Sequence, residues 1–171
     1  MSWTYRSLRS RMWLGCALLA ACSLGLASAA SGQERTAAPP KDVIFARKIL
    51  MDTINSNMDE LEGMIAAGKD LNLAEAREHA DTISVMLMAF PHMFPEPTNQ
   101  WKPNVERDPG TDTYASPDLW ANFADFYGKA ASASKIAYKA SRAKQEGEFK
   151  TFVAELRQGC NGCHAAYQKG D

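Results

Sequence analysis

The sequence predicts an all-α chain folded as an antiparallel four-helix bundle, and three observations carry that expectation. Four stretches after Lys41 repeat apolar residues at alternating three- and four-residue steps, which is one face of a helix. No segment of comparable length alternates apolar and polar residues as a half-buried strand does. Two connections are short and one is long and proline-rich, so neighbouring helices run antiparallel while the long link crosses an end or side of the bundle.

In the first stretch Met51, Ile54, Met58, Leu61 and Ile65 share a face, and Gly68 suits its end. The second repeats the pattern in Ala76, Ala80, Ile83, Leu87 and Phe90 until Pro91 stops it. Residues 91–115 hold Pro91, Pro95, Pro97, Pro103, Pro109 and Gly110 without a period, which predicts a surface crossover with at most a turn of helix. Ser116, Pro117 and Asp118 restart order as an N-cap, a proline at the first helical position and an acid facing the positive helix end. The third stripe runs through Trp120, Phe123, Tyr127, Ala130, Ser134 and Ala137. Gly147 is expected to separate it from the fourth, where Phe149, Val153, Leu156, Cys160, Cys163 and Tyr167 lie on one side.

Residues 1–30 read as a secretory signal: Arg6, Arg9 and Arg11 give a basic start, Met12 to Ala21 an apolar run, and Ala27-Ser28-Ala29 a small-residue cleavage site. The apolar run is too short for a bilayer span. Leu19-Ala20-Ala21-Cys22 also resembles a bacterial lipobox, so cleavage near Ala29 and lipidation at Cys22 both stay open, and the chain meets a membrane only on the second. Cys16 has no evident role. Removing residues 1–30 takes away three arginines and no acid, moving the formal charge from −1 to −4. A mildly acidic chain with no basic cluster argues against a nucleic-acid partner. Residues 31–40 are a small, polar, proline-terminated lead-in, and residues 41–171 are one domain.

The last helix carries the chemistry. Cys160-Asn161-Gly162-Cys163-His164 is the C-x-x-C-H pattern in which two thiols are joined to haem and the histidine ligates iron. A redox dithiol would want a βαβ context, and half a zinc site would want a second Cys or His pair; neither is present in the sequence. At 100° per residue the three side chains occupy an arc of about 100°, continuous with the core face, so a haem held there lies against the helix and among the other stripes. Gly159 and Gly162 offer no side chain to hold a flat macrocycle away from the backbone.

For the opposite face of the iron the candidates are Met51, Met58, Met64, Met86, Met88, Met93, His79 and His92. A core methionine is more often filler than ligand, His79 reads as a helix-surface residue, and His92 as a turn residue. Arg47, one turn before Met51 on the same stripe, must either find an anion such as a haem propionate or reach solvent past the bundle end.

From residue 41 to 169 the chain resembles the class II cytochromes c, which include cytochrome c-prime, in "CNGCHAAY" at its end, "ARKILMDTINSNM" in the first helix, "FPHMFP" after the second and "ASPDLW" opening the third. The resemblance implies a left-twisted bundle with one covalent haem c near one end, exported to the bacterial periplasm, with redox partner proteins and homodimers through the first two helices. His164 matches the proximal ligand, Cys160 and Cys163 the thioether positions, Arg47 a haem-side arginine and Met51 the distal position. Low-spin members bind iron through a distal methionine and resemble electron carriers. Five-coordinate members keep an open site for nitric oxide or carbon monoxide, crowded by the distal side chain. A methionine occurs in both groups. His/Met ligation by His164 and Met51, with electron transfer, is the first expectation here; gas binding is the second, and a haem-free structural bundle a third. Trp120, Phe123 and Tyr127 are expected either as haem-pocket walls or as bundle core. Gln168 departs from a family tendency toward a basic residue after the haem histidine. Neither haem function transforms a substrate, so an enzyme in the usual sense is not expected.

Overall fold

A computed structural model describes residues 37–66, 68, 70–106, 108 and 112–169, so the basic leader, Cys16 and the lipobox at Cys22 lie outside the described residues. The first helix, α1 (Pro40–Ile65), opens on a proline whose missing N–H is not needed there, with Asp42 near its positive end. Its buried residues are Ile44, Arg47, Ile54, Met58 and Leu61, which extends the expected stripe toward the N-terminus. Ala66 leaves the helix with ψ 148° and Gly68 takes φ 81°, the left-handed conformation that glycine adopts without Cβ strain. The next helix, α2 (Leu73–Ala89), is capped by Asn72, whose Oδ1 accepts the Glu75 N–H at 3.3 Å and whose amide donates to the Glu75 carboxylate at 3.0 Å.

Pro91 ends α2 as expected and enters a 3-10 turn, Phe90–Met93, followed by a second, Glu96–Thr98. The crossover then runs to Ser116, whose Oγ accepts the Asp118 N–H at 3.2 Å and donates to the Asp118 carboxylate at 2.8 Å. The third helical stretch is not continuous. A single turn, α3 (Asp118–Ala121), breaks at Asn122 (φ −121°, ψ 38°), whose side chain donates to the Asp118 carbonyl at 3.0 Å, and α4 (Phe123–Arg142) begins after it. The face of α4 that is buried carries Phe126, Ala130, Ala133, Ser134, Ala137 and Ala140, while Phe123 and Tyr127 are 39% and 38% exposed. These two residues are therefore neither pocket walls nor core. Gly147 does not separate the last two helices either: the chain turns at residues 143–145, and Gly147 lies in the first turn of α5 (Glu146–Tyr167).

The helices pack most closely as α2 on α4, α4 on α5 and α1 on α2. One buried cluster fills the body of the bundle, with Phe149, Val153 and Leu156 of α5 against Met58, Leu61 and Ile83; each such side chain contributes about 1.5–3 kcal/mol on burial. A second, aromatic cluster of Phe90, Phe94, Leu119, Phe126 and Tyr167 closes one end. Leu50 and Met51 pack against both clusters. In contrast to the other pairs, α1 and α5 touch at few places.

Candidate functional site

A cavity of about 360 Å³ is lined by residues of both α1 and α5, and it opens where the two clusters meet. From α5 come Cys160, Cys163 and His164; from α1, Arg47, Met51, Ile54 and Met58; from α4, Phe126, Ala130 and Ala133. Leu87, Phe90 and Phe94 contribute from α2 and the turn after it, and Thr113, Tyr114 and Ala115 from the crossover. Small residues on α4 are what leaves this space open, because larger side chains at positions 130 and 133 would fill it. A Cβ on Gly159 would meet the Ala133 Cβ at 3.8 Å, an ordinary contact, so this glycine allows close approach without requiring it. Gly162 does not line the cavity and would meet nothing within 4 Å, so the expectation that both glycines serve the cofactor holds for at most one.

The two thiols are half-buried and unbridged. Burial raises the pKa of both, that of Cys163 to about 11 with Cys160 beside it adding to the rise. A redox-active C-x-x-C pair keeps one thiol well below its ordinary value, so this pair lacks the character of a dithiol catalyst. Among the described residues no group of three or more His, Cys, Asp or Glu side chains is placed to hold a metal. His164 is exposed while lining the cavity, and partial desolvation followed by the nearby Arg157 cation lowers its pKa, favouring the neutral imidazole that a metal needs. Arg157 is held by Glu62 at 2.6 and 3.0 Å and reaches Asp59 at 3.4 Å, which ties α5 to α1 beside the cavity.

Of the eight distal candidates, the cavity takes in Met51 and Met58. Met64 and Met86 pack on the body cluster, Met88 is 43% exposed, and Met93 lies against the aromatic cluster. His79 Nδ1 sits 2.8 Å from the Asn57 side-chain oxygen, and the exposed His92 meets the Tyr127 ring edge-on. Neither histidine lines the cavity.

Arg47 is 3% exposed, which excludes its escape to solvent. Its guanidinium donates to Thr98 Oγ1 at 2.8 Å, the Thr98 carbonyl at 3.3 Å, the Met93 carbonyl at 3.4 Å and the Thr113 hydroxyl. It also lies over the rings of Phe94 and Trp120, 4.5 and 5.7 Å from their centroids. Trp120, on α3, donates its Nε1–H to the Phe94 carbonyl at 3.1 Å and buttresses this aromatic layer without lining the cavity. Desolvation pushes the Arg47 pKa down to about 10, so it remains a cation at neutral pH. No carboxylate among the described residues pairs with it, and a buried cation with neutral partners alone is suited to receive an anion entering the cavity.

The crossover residues of the site were not visible in the sequence. Thr98, Thr113 and Tyr114 sit in a segment without period, and nothing local marks a threonine as the partner of an arginine some fifty or more residues away. The C-terminal part of the crossover is held by backbone pairing with the end of α5: the Ser116 N–H donates to the Tyr167 carbonyl, and the Lys169 N–H to the Tyr114 carbonyl, both at 2.8 Å. Tyr167 in turn donates its hydroxyl to Asp125 of α4, a contact that raises the phenol pKa to about 12.

The residues present fit a haem. Around a largely apolar space, the two thiols on one wall would supply attachment, the imidazole beside them iron ligation, and the buried Arg47 a partner for a carboxylate.

Comparison with known proteins points the same way. The profile of the family described as Cytochrome C' matches residues 42–168. A cytochrome c-556 from Agrobacterium tumefaciens (strain II Chrys) is 29% identical over 126 residues, covering 71% of this chain and 93% of that protein. A cytochrome c' from Pararhodospirillum photometricum is 26% identical over 135 residues, covering 77% of this chain and 100% of that protein. Among solved structures, the cytochrome c prime from Shewanella frigidimarina superposes with a TM-score of 0.67 at 21% identity, covering 79% of this chain and 100% of that one; at that identity it shows the fold alone.

Proposed function

The chain belongs to the cytochrome c' family, whose members carry covalently bound haem c, and from that membership we propose that it is a five-coordinate haem protein with an apolar distal site for nitric oxide or carbon monoxide. In this assignment Cys160 and Cys163 hold the haem through thioether bonds, His164 is the proximal ligand, and Arg47 pairs a carboxylate of the group. The bound group supplies an iron centre able to take a diatomic ligand. The protein's part is to fix His164 on α5, exclude water and shape the space on the other side.

The observation that carries the proposal is the wall facing α5. Met51, Ile54, Met58, Leu87, Phe90 and Phe126 present carbon and thioether sulfur, and such a surface gives a water ligand no hydrogen-bond partner while tolerating a weakly polar gas. Met51, packed against both clusters, crowds that space. This ordering reverses the sequence-based expectation, which put electron transfer first. The thioether of Met51 on the cavity wall keeps His/Met ligation as the second reading, since a soft sixth ligand there would suit an electron carrier.

Met51→Ala separates the two. The gas-binding assignment expects the variant to stay high-spin and to bind carbon monoxide about tenfold more tightly, about 1.4 kcal/mol, as crowding is relieved. Conversion from low to high spin on the same substitution would instead identify Met51 as a ligand.

Export to the periplasm, with cleavage near Ala29 or lipidation at Cys22, follows from residues 1–30 and belongs to the same proposal. No helix among the described residues is long and apolar enough to cross a membrane. Pairing of two chains through α1 and α2 is likewise proposed, and Phe45, Ile49, Val85 and Met88 of those helices are exposed.

A further inference from the structure

Among the features outside the ligand set, the crossover segment 112–116 has the most physical consequence. At one end it is anchored to α5, three to five residues beyond His164, by the two backbone bonds from Ser116 to Tyr167 and from Lys169 to Tyr114. At the other it is anchored to α1, where the Thr113 hydroxyl accepts from Arg47 and the Asp112 carbonyl accepts from Lys48 Nζ at 3.1 Å. Thr113, Tyr114 and Ala115 all face the cavity between these anchors. The segment thus bridges the two helices on either side of the haem space at the bundle end, where it adds to the direct tie that Arg157 makes from α5 to Glu62 and Asp59 of α1. Arg47 lies one helical turn before Met51 on the same face, so whatever holds Arg47 also holds Met51 against the cavity.

We propose that segment 112–116 is a strap that sets the distance between the Met51 side and the His164 side of the haem, with Thr113 as a positioning residue for ligand binding at iron. The inference rests on the haem site assigned above. It adds a determinant of gas affinity that touches neither iron nor the gas and acts through Arg47. The bond is buried and charge-assisted, and of the four that Arg47 makes it is the one that reaches this segment. Slackening the strap lets Met51 withdraw. Carbon monoxide affinity then rises whether Met51 crowds the sixth site or occupies it.

The test is a carbon monoxide titration of the reduced holoproteins, followed by absorption, for the parent chain, Thr113→Val, Thr113→Ser and a chain ending at Gln168. The valine removes the segment's own acceptor for Arg47 and for the Ala115 N–H at 3.1 Å, the serine keeps both, and the shortened chain lacks the Lys169 N–H that holds Tyr114. Thr113→Val and the shortened chain are expected to bind the gas about tenfold more tightly than the parent, and Thr113→Ser to match the parent. Melting temperatures recorded alongside separate positioning from mere structure. Should both altered chains melt lower yet bind carbon monoxide with parental affinity, the strap is overturned. If Thr113→Val fails to take up haem, the shortened chain decides alone. A parent that does not bind the gas at all counts against the five-coordinate assignment, while gain of binding in the altered chains would still support the strap.

Discussion

Replacing Cys160 and Cys163 together by alanine is expected to give a folded helical protein from which all haem is lost on denaturation. Both side chains stand half-buried at the cavity wall, Cys160 at the margin of the body cluster whose buried α5 members are Phe149, Val153 and Leu156, and Cys163 at the margin of the aromatic one. Their removal therefore deletes little packing, and the haem-free bundle should lose no more than about 1 kcal/mol of stability. The effect on the cofactor is all-or-none, because the thioether bonds are the only covalent link that the site's chemistry provides. Intact-mass measurement under denaturing conditions, with and without the haem-maturation machinery, reads the outcome. A haem-sized mass increment surviving in the double variant would place the attachment elsewhere.

The second large effect concerns Arg47 and differs in size between the two forms of the protein. Without haem the guanidinium is a cation at 3% exposure with hydroxyl, carbonyl and aromatic partners but no carboxylate. Arg47→Met keeps only the aliphatic stem and removes the desolvated charge, but it leaves the Thr98 and Met93 carbonyls and the Thr113 hydroxyl without their donor, so the haem-free protein should lose about 1–3 kcal/mol. With haem bound, the same change leaves a carboxylate of the group without its cation in an apolar surround, and breaking a buried pair from one side costs about 3–5 kcal/mol. Denaturant titrations of the haem-free and haem-loaded variants measure both losses. Equal destabilisation of the two forms would show that Arg47 serves the crossover and not the cofactor.

How much of this was legible in the sequence follows from the range of the interactions concerned. Helical stripes are local and periodic, so α1, α2 and α5 could be read from Met51 to Leu61, from Ala76 to Phe90, and from Phe149 to Tyr167. The C-x-x-C-H segment is local too, and its three side chains face the cavity as the 100° spacing requires. Failure came at the start of the third stripe. Within α4 the expected Ala130, Ser134 and Ala137 are buried, but the buried face is centred on Phe126, Ala133 and Ala140, which leaves Phe123 and Tyr127 at its edge. The fate of Arg47 was also out of reach, since Thr98 and Thr113 meet it only after the aperiodic crossover has folded over the bundle end.

The measurement that tests the assignment most directly is the absorption spectrum of the reduced, haem-matured protein before and after carbon monoxide. With His164 bound on one face and an apolar, open site on the other, the spectrum is expected to be high-spin and to shift on adding the gas. A low-spin spectrum that does not move would contradict it, placing a sixth ligand on the iron, with Met51 the first to test.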